Sequence, residues 1–119
     1  MIEASCHCGA VKFEIAREPD YVGDCNCSIC RRLGALWAYY KITDVKIIPP
    51  AGATDTYMWN KRILAFHRCK NCGCTTHWYP VDVSQDRLGI NARLLAPEVL
   101  AGARVRHLDG AVTEKYLDE

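Results

Sequence analysis

The chain has 119 residues, 50% of them hydrophobic, which suits one domain over residues 1–119 built on a single modest core. Fifteen Lys and Arg stand against 14 Asp and Glu, a formal net charge of +1. That balance excludes a dedicated nucleic-acid binder, which needs a basic excess to neutralise phosphates. No apolar run approaches the roughly 18 residues of a membrane-spanning helix.

Val11–Ile15 is the first run that alternates as a strand, and Pro19-Asp20 punctuates the chain after it. Ser28 is placed to cap a short helical turn through Arg31-Arg32-Leu33 that stops at Gly34. Leu36–Ile42 is the next strand, and Pro49-Pro50-Ala51-Gly52 breaks the chain beyond it. Strands Thr54–Trp59 and Ile63–Arg68 follow, then the turn Asn71-Cys72-Gly73, then strands Thr75–Tyr79 and Leu88–Arg93. Pro97 opens a second short helix that closes near Gly102, and Arg104–Leu108 is the last strand before Asp109-Gly110. The pattern predicts an all-β fold of several short, twisted antiparallel sheets with little helix.

Eight cysteines fall in three tight clusters: Cys6-x-Cys8, Cys25-x-Cys27-x2-Cys30 and Cys69-x2-Cys72-x-Cys74. The N-terminal residues Met1 to Cys6 lack a basic segment and an apolar segment, so no secretory signal is expected and a reducing, cytoplasmic compartment follows. In such a compartment clustered cysteines bind metal rather than pair as disulfides. Short C-x-C and C-x2-C turns deliver two thiolates to one cation, and zinc takes such ligands tetrahedrally.

Cys8 and Cys72 are each followed by glycine, Gly9 and Gly73, which permits a positive-φ turn with N–H groups aimed at the sulfurs. Cys6, Cys8, Cys69 and Cys72 therefore read as two matching halves of one closed zinc site. Cys25, Cys27 and Cys30 supply three thiolates, and three protein ligands leave a fourth position for water or substrate. Two completions of this second site stay open. It is an open catalytic site, or it is closed by a further residue such as Cys74 or His77.

Cys6-His7-Cys8-Gly9-Ala10-Val11, Cys25-Asn26-Cys27-Ser28-Ile29-Cys30-Arg31, Cys69-Lys70-Asn71-Cys72-Gly73 and Asn91-Ala92-Arg93 together resemble the glutathione-dependent formaldehyde-activating enzyme family, which includes centromere protein V. The resemblance runs from about Ser5 to Arg93. It implies that family's fold of several coiled sheets, a structural zinc on Cys6, Cys8, Cys69 and Cys72, and a catalytic-type zinc on Cys25, Cys27 and Cys30. It also implies a carbon–sulfur lyase reaction joining formaldehyde to glutathione as S-hydroxymethylglutathione. Two residues, His67 and Arg68, separate Phe66 from the last cysteine group, and Cys74 is extra. Both depart from the family pattern and bear on the substrate.

A thiol substrate such as glutathione carries carboxylates, for which Arg31, Arg32 and Arg93 are the candidate receivers; Asn91 and Arg93, on one side of a strand by its period of two, either line the substrate pocket or satisfy turn carbonyls. Trp37, Trp59 and Trp78 are expected to pack the core or wall a cleft, His7 to face solvent, and His107 to stand without a companion. The alternative to an enzyme is a zinc-stapled binding module with two closed sites.

Overall fold

A computed structural model describes residues 1–60 and 62–119. Ten strands and two short helices follow one another: β1 (Ile2–Ser5), β2 (Lys12–Ile15), β3 (Tyr21–Cys25), α1 (Cys30–Leu33), β4 (Trp37–Tyr40), β5 (Val45–Ile48), β6 (Thr54–Trp59), β7 (Leu64–Cys69), β8 (Thr75–Pro80), β9 (Leu88–Asn91), α2 (Pro97–Ala101) and β10 (Arg104–Leu108). They form two sheets. The smaller has the order β1-β2-β5 and the larger β10-β3-β4-β9-β8-β7-β6. The all-β expectation holds, with one difference. β10 lies parallel to β3, with Leu108 opposite Cys25, whereas every other pairing is antiparallel. A parallel pair needs a long connection, and everything between β3 and β10 in the chain supplies it.

Alternation along the strands sends side chains to the two faces of the large sheet. On β4, Ala38 and Tyr40 join Leu88, Ile90, Val22 and Phe13 in the main core, while Trp37 and Tyr39 face a smaller cluster with Cys25, Cys30, Phe66 and Trp78. Phe66 is opposite Trp78 across β7 and β8, and Trp78 is opposite Gly89 on β9. Gly89 and Gly23 are small because rings lie over them. A Cβ at Gly89 would collide with the Trp78 indole, and one at Gly23 with the Tyr39 phenol.

Three strands escape the sequence pattern: β1, β3 and β5 are four or five residues long. β3 carries Gly23 and Asp24, residue types depleted in strands, and β1 and β5 bury at most one side chain each. Leu88–Arg93 is shorter than expected, since the strand ends at Asn91 and a tight turn over Ala92–Leu94 follows. α1 has no side-chain cap, so Ser28 does not cap it; the helix begins at Cys30 and ends at Gly34 with φ 68°. Among the described residues no helix is long and apolar enough to cross a membrane.

Candidate metal centres

The first cysteine group gathers where two hairpins meet. Cys6 and Cys8 sit in the turn between β1 and β2, and Cys69 and Cys72 at the turn between β7 and β8. Gly9 N–H donates to the Cys6 carbonyl at 3.1 Å and Gly73 N–H to the Cys69 carbonyl at 3.0 Å. Both glycines have positive φ, 81° and 77°, as the matching half-sites predict. The four sulfurs lie within 4.8 Å of one another. Cys6 Sγ is 3.7 Å from Cys8 Sγ, which is 3.6 Å from Cys69 Sγ. A tetrahedron with metal–sulfur bonds of about 2.3 Å has sulfur–sulfur edges of about 3.8 Å, so the donor set fits a zinc-sized ion. A disulfide needs about 2.05 Å, and all eight cysteines are free thiols.

Backbone donors stabilise negative charge at this group. Val11 N–H reaches Cys6 Sγ at 3.3 Å. The N–H groups of Cys74 and Cys8 hold the Cys72 thiol down to about 5, and the Asn71 side chain lowers Cys8. Cys74 therefore serves the first group: its carbonyl accepts from Cys69 N–H at 2.9 Å, and it packs with Cys72 on the main core.

Cys25, Cys27 and Cys30 form the second group, their sulfurs also within 4.8 Å. Among the described residues neither Cys74 nor His77 joins it. Cys25 ends β3, and α1 starts at Cys30, whose N–H donates to Cys27 Sγ at 3.3 Å. The Trp37 indole N–H donates to Cys30 Sγ at 3.4 Å. Hydrogen bonding from Cys30, together with N–H groups of Cys27 and Gly110, outweighs burial and pulls the Cys25 thiol down to about 6, while Cys25 and burial push Cys30 up.

This group opens on a cavity of about 490 Å³ walled by aromatic rings: Trp37, Tyr39, Trp59, Phe66 and Trp78. All three tryptophans thus wall the cleft. Among the described residues its charged members are Arg87, whose guanidinium stacks 4.3 Å from the Tyr39 ring centre, and Glu114.

The structure does not bring Arg31, Asn91 or Arg93 to that wall. Arg31 and Arg32 are exposed on α1, and Arg32 donates to the Ser28 carbonyl at 2.7 Å. Asn91 and Arg93 do not share a strand face, because the strand stops between them. Asn91 donates to the Thr75 carbonyl at 2.8 Å and accepts from Arg93 N–H at 3.2 Å. The Arg93 Nε donates to the Gly34 carbonyl at 2.9 Å, bracing the end of the helix that carries Cys30. Arg87 carries no motif; pairing of β4 with β9 alone brings it beside Tyr39.

The C-terminal segment was missed as well. Leu108, Gly110, Ala111 and Glu114 form one side of the cavity. Asn26, between two of the cysteines, clasps that segment: its amide donates to Asp109 Oδ1 and accepts from Ala111 N–H, both at 3.0 Å. Arg106, held between the Tyr21 and Tyr116 rings, pairs with Glu119 at 2.5 Å. His107 does have a companion, Asp118 at 2.9 Å, while His7 is exposed as expected. Gly110 touches the cluster so closely that a Cβ there would sit 2.5 Å from Cys25 Sγ. Gly110→Ala is therefore expected to halve the metal bound, emptying the three-cysteine group while circular dichroism stays native. Full metal content in the variant would show that the segment yields.

Fold and sulfur sets together define a β-sheet protein with two cysteine clusters able to hold metal ions. Residues 1–104 match the family described as Glutathione-dependent formaldehyde-activating enzyme, and the chain belongs to that family. A Halomonas elongata protein named "Putative glutathione-dependent formaldehyde-activating enzyme" is 32% identical over 81 residues, 60% of this chain and 52% of the relative. The chain thus spans about half the length of that curated relative. A crystal structure of a Rhodobacter sphaeroides protein aligns with a TM-score of 0.70 at 28% identity, covering 87% of this chain and 99% of that one. Gly110 and Glu114 lie beyond the matched residues.

Proposed function

We propose that the chain is a zinc-dependent carbon–sulfur lyase that makes or splits the adduct of a thiol with a small aldehyde, S-hydroxymethylglutathione being the family's example. The observation that carries this reading is the unequal setting of the two cysteine groups. Four sulfurs close around one point, while Cys25, Cys27 and Cys30 border a cavity. The reading takes two zinc ions per chain, one structural and one at the three-cysteine group. Zinc held by three thiolates supplies a site where an incoming thiol is acidified.

The chain's own residues do the rest. The aromatic wall sheds water from the reacting sulfur, and Trp37 N–H fixes Cys30. Arg87 receives a carboxylate of the thiol and Glu114 its ammonium, a pairing that suits the amino-acid end of glutathione. Arg31 and Arg93 lie off the wall, so the anion-receiving role passes to Arg87. In the forward direction the thiol gives its proton to water, the thiolate sulfur attacks the carbonyl carbon, the C=O pair moves to oxygen, and that oxygen takes the proton back from water. The lyase direction reverses each step.

Arg87→Ala is expected to raise the KM for glutathione about tenfold with kcat nearly unchanged, since a charge-assisted hydrogen bond contributes about 1.5–3 kcal/mol. The reading itself is tested by exchange spectroscopy on formaldehyde and glutathione with the zinc-loaded protein. Faster adduct exchange than in the protein-free mixture supports it. An unchanged rate, with both ions bound, leaves the binding-module alternative.

A further inference from the structure

A second cavity, of about 780 Å³, lies on the opposite face of the large sheet from the three-cysteine group. That size is in the usual range for small-molecule sites. Its walls are mainly apolar, with Val45, Ile47, Pro49 and Tyr79 prominent; Lys46 stands at an exposed position on it, and no carboxylate is among the described lining residues. His67 and His77 also line it, facing each other across β7 and β8 with rings stacked 4.1 Å apart at 16°.

His77 is only 2% exposed. Its Nδ1 is 2.8 Å from Thr76 Oγ1. The Thr76 hydroxyl has one proton and donates it to the His67 carbonyl at 3.3 Å. With that proton on the His67 carbonyl, the short contact is made by Nδ1–H of His77 and Nε2 is a lone-pair acceptor, and this tautomer is part of the proposal below. No protein donor meets that Nε2 among the described hydrogen bonds, and His77 is one of the residues that line the cavity. His67 Nδ1 is held by Thr54 Oγ1 at 2.8 Å. Nearly parallel rings aim their lone pairs side by side, which does not suit a shared metal ion. Burial keeps the His77 imidazole neutral, pulling it down to about 3.

The His77 lone pair repels an anion at that point, and Lys46, the charged lining residue, is exposed and lies 3.8 Å from Glu14 Oε1, while no carboxylate among the described lining residues offers a cation a partner. We propose that this cavity binds an uncharged small molecule with an apolar body and one hydroxyl, whose O–H is donated to His77 Nε2. The proposal is independent of the metal groups and of the thiol reaction.

The test compares 4-methylphenol with 4-methylanisole, which keeps the body and lacks the proton, by NMR titration of the metal-loaded protein. The phenol is expected to bind with a Kd of about 1 mM or tighter, and the ether at least tenfold more weakly. His77→Phe keeps a ring and should erase the difference. Thr56→Trp, at an exposed rim position, should weaken phenol binding at least tenfold. Equal binding of the two probes, no saturation by the phenol, or discrimination that survives His77→Phe would overturn the proposal. Should that variant fail to fold, phenol affinity unchanged in Thr56→Trp would overturn it alone, by locating the probe elsewhere.

Discussion

Replacing Cys69 with serine is expected to unfold the chain. Cys69 is 1% exposed, and its sulfur lies between the two hairpins that the four-cysteine group joins. A structural zinc contributes on the order of 10–16 kcal/mol to folding, whereas a whole domain is stable by about 5–15 kcal/mol. The metal term is as large as the total. A metal there would also tie β1 and β2, at the start of the chain, to β7 and β8 far along it, with the main core between them. Chelation of the wild-type protein should give the same result. Far-UV circular dichroism during chelation checks it; a native spectrum after complete metal removal would refute the structural assignment.

Cys27→Ser is expected to do the opposite: keep the fold and abolish the chemistry. Cys27 is partly exposed and outside the main core, so its loss leaves the packing of β2, β4 and β9 intact. Its sulfur accepts from Cys30 N–H, and two remaining thiolates hold zinc far less well than three. Metal content should fall from two ions to one, with adduct exchange at least about 10³-fold slower, because metal-assisted thiol activation supplies several kcal/mol. Mass spectrometry under native conditions counts the ions, and NMR gives the rate. Wild-type turnover with one ion bound would place the reaction away from the cavity.

These two variants separate what was legible in the sequence from what was not. Each cysteine group is a local signal: two or three sulfurs within five residues, with Gly9 and Gly73 marking the turns. Local geometry sets such turns, so they were readable without a fold, and even the pairing of the first group with the last followed from the matched glycines. The placing of Cys74 was not readable. Spacing allowed it to complete the second group, and only the β7–β8 turn sets its N–H against Cys72 instead.

Arg31, Asn91 and Arg93 show the same limit for substrate contacts. Proximity to a motif made them candidates, yet Asn91 and Arg93 brace backbone carbonyls and Arg31 lies off the wall. Arg87 and Glu114 reach the cavity through strand pairing and the return of the C-terminal segment along β3. Neither is signalled by its neighbours in sequence.

By itself the sequence determined the all-β class, the three sulfur clusters and the family they resemble, because ligand spacing and strand alternation are short-range properties. The tertiary structure decided which cluster faces a cavity, which charges stand beside it, and that a second cavity with a buried imidazole floor lies behind the same sheet. Those features arise from residues that are distant in the chain and meet only when the sheets assemble.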